Sequence, residues 1–209
     1  SGTVSIAHIG DSHIQGDFLT AVVRKSLQDK FGNAGRGLIF PYQVARSNAP
    51  ADIHSHSSIS WKHNRLARPD RGNGCGISGF YLHSDKSNAS FEFGLKPADG
   101  SVQNFSLIRL FTDTLSSSRW AVKVDGRDSL YLHSRGDTLF QNLENKIRLA
   151  APVTACNIIS LTGDSIRSFY GASVETDSAG VLLHSIGVNG ARYDHYNNTP
   201  LFWQQLPQL

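Results

Sequence analysis

The pattern of apolar and polar residues changes twice along the chain, and the order of these changes restricts the folds that the chain can adopt. Residues 3–10 form an apolar run typical of a buried strand, and residues 18–30 carry apolar side chains at helical spacing. Residues 57–166 instead contain short alternating segments, and the α/β texture returns after residue 166. An all-β module inserted into an α/β domain explains this order better than two domains in tandem.

The alternating segments are short and separated by turn residues, which is typical of a β-sandwich or jelly roll. The strands predicted along the chain are 3–10, 77–82, 89–93, 105–111, 120–124, 157–161, 169–174 and 180–186. We therefore predict an α/β domain made of residues 1–56 and 167–209. A β-sandwich without helices occupies residues 57–166 in this prediction.

A helix is predicted between the first strand and a glycine-rich loop. Asp17 is a plausible N-cap, and Gly32 is a natural C-terminal stop. The apolar positions of this helix share roughly one face: Phe18, Val22, Leu27 and Phe31, with Val23 beside them. Near the other end of the chain, residues 193–206 are predicted to form an irregular helix or loop.

Composition excludes several classes of protein. Hydrophobic residues make up 39% and charged residues 18% of the chain, which is enough to bury a core. The net charge is +3, and the basic residues are scattered, so we expect no nucleic-acid partner. No apolar run reaches 18 residues, so we expect no membrane-spanning segment. The chain begins with Ser1 and contains no Met, which suggests processing or trimming.

Neither cysteine nor histidine spacing predicts a metal site or a cofactor. Cys75 and Cys156 match no zinc pattern; they form two separate thiols or, in an exported protein, one disulfide, and we favour separate thiols. His54 and His56 are able to bind a metal from one face of a strand. No further ligand group stands out nearby, so a solvated loop is the favoured interpretation.

Ser12 is the candidate nucleophile. It lies on a tight turn between the first predicted strand and the helix, where its hydroxyl is exposed. The backbone N–H groups at the start of a helix are able to stabilise an oxyanion. The string Gly163-Asp-Ser165 repeats the tripeptide, but no amphipathic helix follows it, so we interpret it as a turn.

Two segments resemble the conserved blocks of the SGNH (GDSL-type) hydrolases. Gly10-Asp-Ser-His13 is similar to the first block, and Ser185-Ile-Gly-Val-Asn-Gly190 is similar to the second. The resemblance implies a three-layer, flavodoxin-like α/β fold, with Ser12 as nucleophile and the N–H groups of Ser12 and Gly190 as the oxyanion hole. Asp11 has a supporting role in the turn, and His13 and Asn189 are candidate substrate-binding residues.

The variant with His13 after the serine, Asp17 nearby and an inserted β-module is similar to bacterial peptidoglycan and carbohydrate O-acetylesterases. This resemblance implies an acylated glycan as substrate and an extracytoplasmic location, either periplasmic or secreted. The family also has an oxyanion asparagine and a C-terminal Asp-x-x-His, and neither precedes Leu209. We therefore expect an incomplete α/β domain that is inactive alone, with His184 or His195 as the first candidate base if it is active.

Two other functions fit parts of the sequence. Asp11-x-His13 after an apolar strand resembles the metal-binding opening of metallophosphoesterases, although their later motifs are missing. The protein is alternatively a non-catalytic glycan-binding protein in which the β-module binds sugar. Four aromatic residues would supply a stacking platform, although a sandwich core is the favoured place for tryptophan: Trp61, Trp120, Tyr81 and Tyr131.

Overall fold

The computed structural model describes most of the chain, namely residues 2–68, 74–97, 103–113, 119–125, 130–134, 146–161 and 167–209. Strands and helices are numbered here in chain order. The described residues are mostly β-sheet, arranged as one parallel pair of strands and two antiparallel sheets. The predicted turn at residues 163–165 lies outside the described residues.

The parallel pair joins the two ends of the chain. β1 (Thr3–Gly10) runs beside β13 (Gly180–Gly187), and the register places Gly10 opposite Gly187. Two helices follow β1, namely α1 (Ser12–Gln15) and α2 (Phe18–Phe31). Because β1 and β13 are parallel, the segments that follow them leave the sheet at the same edge.

Within the described ranges, eleven strands form the two antiparallel sheets of the β-module. The larger sheet contains β2 (Gly35–Ile39), β4 (Lys62–Arg65), β5 (Phe80–Ser84), β7 (Phe105–Thr112), β10 (Lys146–Val153) and β12 (Arg167–Glu175). The second contains β3 (Ile53–His56), β6 (Ser90–Leu95), β8 (Arg119–Lys123), β9 (Leu130–Ser134) and β11 (Ala155–Ser160). The expectation of a β-module made of short strands is confirmed by this arrangement.

Aromatic side chains fill the space between these two sheets. Phe169 of β12 lies at the centre, with its ring centroid 5.0 Å from that of Phe91 in β6 and 5.9 Å from that of Trp120 in β8. Phe40 and Phe80 stack on each other, with ring centroids 5.0 Å apart. All five rings are buried, so the inner faces of both sheets form one continuous apolar core.

The sheets extend beyond the segment predicted as an insertion. β2, β3 and β12 belong to the two antiparallel sheets, yet they lie outside residues 57–166. The elements outside those sheets are the parallel pair and the helices. The division into residues 1–56 and 167–209 around a module at 57–166 therefore stays a prediction.

Helix α2 has the predicted bounds but not the expected cap or buried face. Asp17 precedes it with a left-handed φ of +59° and makes no side-chain capping hydrogen bond. The residues turned toward the protein are polar, namely Thr20 and Arg24. Of the apolar residues, Val23 and Leu27 are partly buried, whereas four are largely exposed: Phe18 82%, Leu19 60%, Val22 64% and Phe31 57%.

Two further helices follow β13, namely α3 (Tyr193–Asn197) and α4 (Pro200–Gln205), before a 3-10 turn at Leu206–Gln208. Residues 193–206 are thus helical with a break, as predicted. Helices in the described ranges are all too short or too polar to cross a membrane.

Candidate active site

Ser12 is exposed at the junction between β1 and α1, where a nucleophile was predicted. β1 ends at Gly10, and Ser12 is the first residue of α1. Asp11 precedes this helix as its N-cap, and its Oδ1 accepts a hydrogen bond from the His13 N–H at 3.0 Å. The first N–H groups of a helix have no intrahelical acceptor, so they are available to an incoming anion or carbonyl oxygen.

Gly190 lies in the loop that follows β13, at the same edge of the parallel pair as Ser12. Its φ of +78° is in the left-handed region that favours glycine. A Cβ added to Gly190 would meet no atom within 4 Å, so the space beside it is open. Its role in an oxyanion hole stays a prediction, as do the substrate-binding roles of His13 and Asn189.

Gln15 joins the two loops of the candidate site and was missed by the sequence interpretation. Its Oε1 accepts a hydrogen bond from the Asn189 N–H at 2.7 Å. Its Nε2 donates to Ser47 Oγ at 2.9 Å and to the Asn48 carbonyl at 2.7 Å. The Gln15 side chain is 1% exposed, so this amide positions the Asn189 loop relative to α1.

A hydrogen bond and a close backbone approach lie at the ends of the parallel strands. The Tyr196 hydroxyl donates to the Gly10 carbonyl at 2.7 Å, which ties α3 to the end of β1. A Cβ on Gly187 would lie 2.1 Å from the Gln15 backbone nitrogen. Only glycine therefore allows the end of β13 to approach α1 this closely.

Asp17, which lies between α1 and α2, is the centre of a buried ion-pair network. Its carboxylate accepts hydrogen bonds from Arg24 Nη1 at 2.8 Å and Arg36 Nη2 at 2.6 Å. Ser185 Oγ of β13 donates to the same carboxylate at 2.8 Å, and Thr20 Oγ1 also donates to it. Burial alone would raise the pKa of Asp17, but the charges of Arg36 and Arg24 outweigh it and lower the pKa.

Asp52 extends the network to the segment before β3. Its Oδ2 accepts a hydrogen bond from Arg36 Nε at 2.5 Å, and Arg36 is 3% exposed. The network thus connects α2, β2 and β13. The sequence predicted that the Asp17 side chain caps α2. In the structure its carboxylate instead binds the guanidinium groups of Arg24 and Arg36.

His184 is unsuited to act as the base for Ser12. It is 0% exposed in the interior of β13, where its Nδ1 accepts from the Leu38 N–H at 3.0 Å. Its Nε2 lies 3.0 Å from Ser5 Oγ, so Nε2 carries the proton and donates to that hydroxyl. Burial, with the nearby charges of arginines, lowers the pKa of His184 to about 3.

His13 and His195 have partners close to them in the chain. His13 Nδ1 lies 3.1 Å from Asp11 Oδ1, and the hydrogen bonds from His13 lower the pKa of Asp11. His195 Nδ1 accepts from the Arg192 N–H at 3.2 Å within α3. Among the hydrogen bonds of the described residues, none joins the Ser12 hydroxyl to an imidazole.

The expected loop around His54 and His56 is wrong, because both residues lie in β3. They are two positions apart and so share one face of the sheet. His54 Nε2 also lies 3.4 Å from Glu92 Oε1 on the neighbouring strand. Across the described ranges, no group of three or more His, Cys, Asp or Glu side chains is arranged to hold a metal ion. Asp11 and His13 thus have no third side chain of these types beside them within those ranges.

The aromatic residues proposed as a sugar platform do not form one surface. Trp61 and Trp120 are 4% and 0% exposed and belong to the core. Tyr81 stacks on His83 with ring centroids 4.8 Å apart. The Tyr131 hydroxyl accepts a hydrogen bond from the Ala150 N–H at 2.8 Å.

The cysteines are separate buried thiols, as favoured from the sequence. Burial raises the pKa of the Cys75 thiol to about 12, and it also raises the pKa of Cys156. Both thiols are therefore protonated and unreactive in the folded protein.

Comparison with solved structures shows what this fold resembles. A peptidoglycan O-acetylesterase matches with a TM-score of 0.65 and 21% identity, over 95% of this chain and 50% of that chain. The chain thus shares its fold with about half of that protein. The comparison supports an esterase-like fold.

Two other solved structures match with lower TM-scores. CBM32 of AlyQ in complex with 4,5-unsaturated mannuronic acid matches with a TM-score of 0.36 and 13% identity, over 59% of this chain and 94% of that chain. CBM32-1 from a family 31 glycoside hydrolase of Clostridium perfringens gives 0.34 and 13%, over 65% and 99%. The chain matches no protein-family model and no curated protein.

Proposed function

We propose that the protein is a serine ester hydrolase of the SGNH type that removes acetyl groups from a glycan. One observation carries this proposal. Ser12 begins a helix at the edge of a parallel sheet where the Gly190 loop also emerges, in a fold shared with a peptidoglycan O-acetylesterase. An acetylated cell-wall glycan as substrate would place the enzyme outside the cytoplasm.

The proposed reaction proceeds through an acyl-enzyme. Ser12 Oγ attacks the carbonyl carbon of the ester while its proton passes to a general base. The N–H groups of Ser12 and Gly190 stabilise the negative charge on the tetrahedral oxygen. The bond from carbon to the sugar oxygen then breaks, and that oxygen takes the proton from the base. Water hydrolyses the acyl-serine in the second half.

The general base is proposed to come from polypeptide outside residues 1–209. His184 has both ring nitrogens in hydrogen bonds and a pKa of about 3, so it is a poor proton acceptor at neutral pH. Without a base the Ser12 hydroxyl remains a weak nucleophile. We therefore expect residues 1–209 alone to have little or no turnover.

Hydrolysis of p-nitrophenyl acetate by the full-length gene product tests the nucleophile. Replacing Ser12 by Ala is expected to lower kcat by at least about a thousandfold, because the attacking oxygen is removed. Ser26→Ala is the matched control, since Ser26 is exposed on α2. Equal rates for Ser12→Ala and the unmodified protein would refute the assignment.

A second candidate function is glycan binding without catalysis, and a cavity in the β-module favours it. The cavity has a volume of about 440 Å³, and its mixed polar and apolar lining includes Glu92, Asn104 and Asp125. Such groups are able to bind sugar hydroxyls. Calorimetric titration with peptidoglycan fragments tests this function: binding that Asp125→Ala weakens, together with rates unaffected by Ser12→Ala, would favour it over the esterase.

A further inference from the structure

Three arginines, Arg46, Arg65 and Arg68, lie around His63, and we call them the arginine cluster. Arg65 and His63 are two positions apart on β4, so their side chains are on the same side of that strand. The Arg68 N–H donates to the Arg65 carbonyl at 3.1 Å, so the chain turns directly after β4. Burial, followed by the charges of the three arginines, lowers the pKa of His63. Three positive charges therefore lie close to one imidazole.

The charge of the arginine cluster is not balanced by ion pairs within the described ranges. By contrast, the buried Arg24 and Arg36 share the carboxylate of Asp17. Among the buried polar atoms of the described residues, Arg65 Nε has no hydrogen-bond acceptor. Because like charges that are held together repel one another, an anion bound among these arginines would be stabilised.

Arg46 has an uncommon backbone conformation. Its φ is +52°, in the left-handed region that residues other than glycine rarely adopt. The Arg46 N–H donates to the Gln43 carbonyl at 3.1 Å, and the Ser47 N–H donates to the Tyr42 carbonyl at 2.8 Å. These hydrogen bonds hold the turn that carries Arg46 between β2 and β3. Strained residues of this kind are concentrated at sites that bind ligands.

The segment that carries Arg46 contacts the helix of the candidate nucleophile. Ser47 Oγ accepts a hydrogen bond from Gln15 Nε2 at 2.9 Å, and the Asn48 carbonyl accepts a second at 2.7 Å. Gln15 is the last residue of α1, which begins at Ser12. Arg46 is therefore one residue away from a direct contact with this helix.

The segment that carries Arg65 reaches the Gly190 loop. The Leu66 N–H donates to the Gly79 carbonyl at 2.9 Å. A Cβ added to Gly79 would lie 2.8 Å from Leu66 Cδ2 and 2.4 Å from Val188 Cγ2, so the Leu66 and Val188 side chains are close neighbours. Val188 precedes Gly190 by two residues. Segments of the arginine cluster thus adjoin both loops of the candidate active site.

We propose that the arginine cluster is a substrate subsite that binds a carboxylate of the glycan, so that the enzyme acts on an acidic sugar chain. Guanidinium groups form paired hydrogen bonds with carboxylates, and Arg46 and Arg68 are exposed, so both can reach a bound anion. The cavity in the β-module suits such a group less well, because Glu92 and Asp125 in its lining would repel it. The inference rests on the proposed function for the glycan, whereas the charge of the ligand follows from the cluster.

Calorimetric titration of the full-length gene product tests the charge of the ligand. The probes are a peptidoglycan disaccharide with a free lactyl carboxylate and the same disaccharide with that group converted to a neutral amide. We expect the amide to bind at least about tenfold more weakly, because it cannot form charge-assisted hydrogen bonds with the arginines. Equal affinities, or no detectable binding of the acid, would overturn the inference. Tighter binding of a phosphorylated disaccharide that lacks the carboxylate would also overturn it.

Charge-matched variants separate the arginine cluster from a general electrostatic attraction. Arg46→Gln and Arg68→Gln each remove one charge at an exposed position, and each should weaken binding of the acid at least about fivefold without lowering the melting temperature. Arg119→Gln removes the same charge from an exposed residue of β8 and should leave the affinity unchanged. Arg68→Lys keeps the charge but not the planar fork, so it should restore only part of the affinity. Equal losses for Arg119→Gln and the two cluster variants would contradict the inference.

Binding of these probes involves no ester, so it is independent of catalysis by Ser12. Hydrolysis that Ser12→Ala leaves unchanged, together with a preference for the acid, would refute the hydrolase and leave the anion site standing. Ser12-dependent hydrolysis together with equal binding of acid and amide would refute the subsite alone.

Discussion

Folding stability is expected to fall with acid because His184 must remain neutral in the folded protein. Its pKa is lowered to about 3 by burial and neighbouring arginines, against an ordinary value of 6.5. The unfolded state therefore binds a proton in this window that the folded state does not. With respect to the titration of His184, the unfolding free energy is greatest above pH 6.5 and decreases as the pH falls toward 3.

The size of the effect follows from the displacement of the pKa. Each pH unit within the window corresponds to about 1.4 kcal/mol of unfolding free energy. Lowering the pH from 6.5 to 5 should therefore remove about 2 kcal/mol through His184 alone. Asn at this position cannot titrate, so His184→Asn should lose this part of the pH dependence.

Urea unfolding at several pH values, followed by circular dichroism, measures the effect. The relevant quantity is the slope of the unfolding free energy against pH, compared between the unmodified protein and His184→Asn. Carboxylates contribute equally to this slope in both proteins. His56→Gln is the control, since His56 is exposed at the end of β3. A slope between pH 5 and 6.5 that His184→Asn leaves unchanged would refute the assignment of a neutral, buried imidazole.

Two further predictions concern buried charge and buried thiols. Asp17→Ala should lower the unfolding free energy by about 3–5 kcal/mol, because Arg24 and Arg36 lose their shared carboxylate. Asp29→Ala, which removes an exposed ion pair with Lys25, should lower it by less than about 1 kcal/mol. Equal losses for the two variants in urea titrations would contradict this. Cys75 and Cys156 should react with Ellman's reagent only after unfolding, since burial keeps both protonated; rapid reaction of the native protein would show that they are accessible.

Local pattern predicted much of the β-module because its strands alternate in the sequence. The predicted segments 105–111 and 120–124 correspond to β7 and β8, each within a residue of the predicted ends. Strand β2 was missed because its sequence, Gly-Arg-Gly-Leu-Ile, has two glycines and a charge. The partner that makes it a strand is β12, which lies far away in the sequence.

The candidate site was predictable only where its signal is local. The turn at Ser12 follows from a strand, a turn string and a helix that are adjacent in the sequence. The buried face of α2 could not be predicted, because an arginine in a helix is usually exposed and the partner of Arg24, Asp17, is identified only in the folded structure. Gln15 likewise has no distinguishing neighbours, because its partners Asn48 and Asn189 are distant in the chain.

The hydrogen bond between Gln15 and Asn189 joins residues 174 positions apart, and this has a consequence for the order of folding. Closing so long a loop in a disordered chain is entropically unfavourable and slow. Pairing of β2 with β12 shortens the effective loop, because it brings the two ends of the chain together. We expect the β-module to fold first and the Ser12 turn to acquire its neighbours last. A newly synthesised chain would then hold its nucleophile apart from the Gly190 loop until the rest is folded.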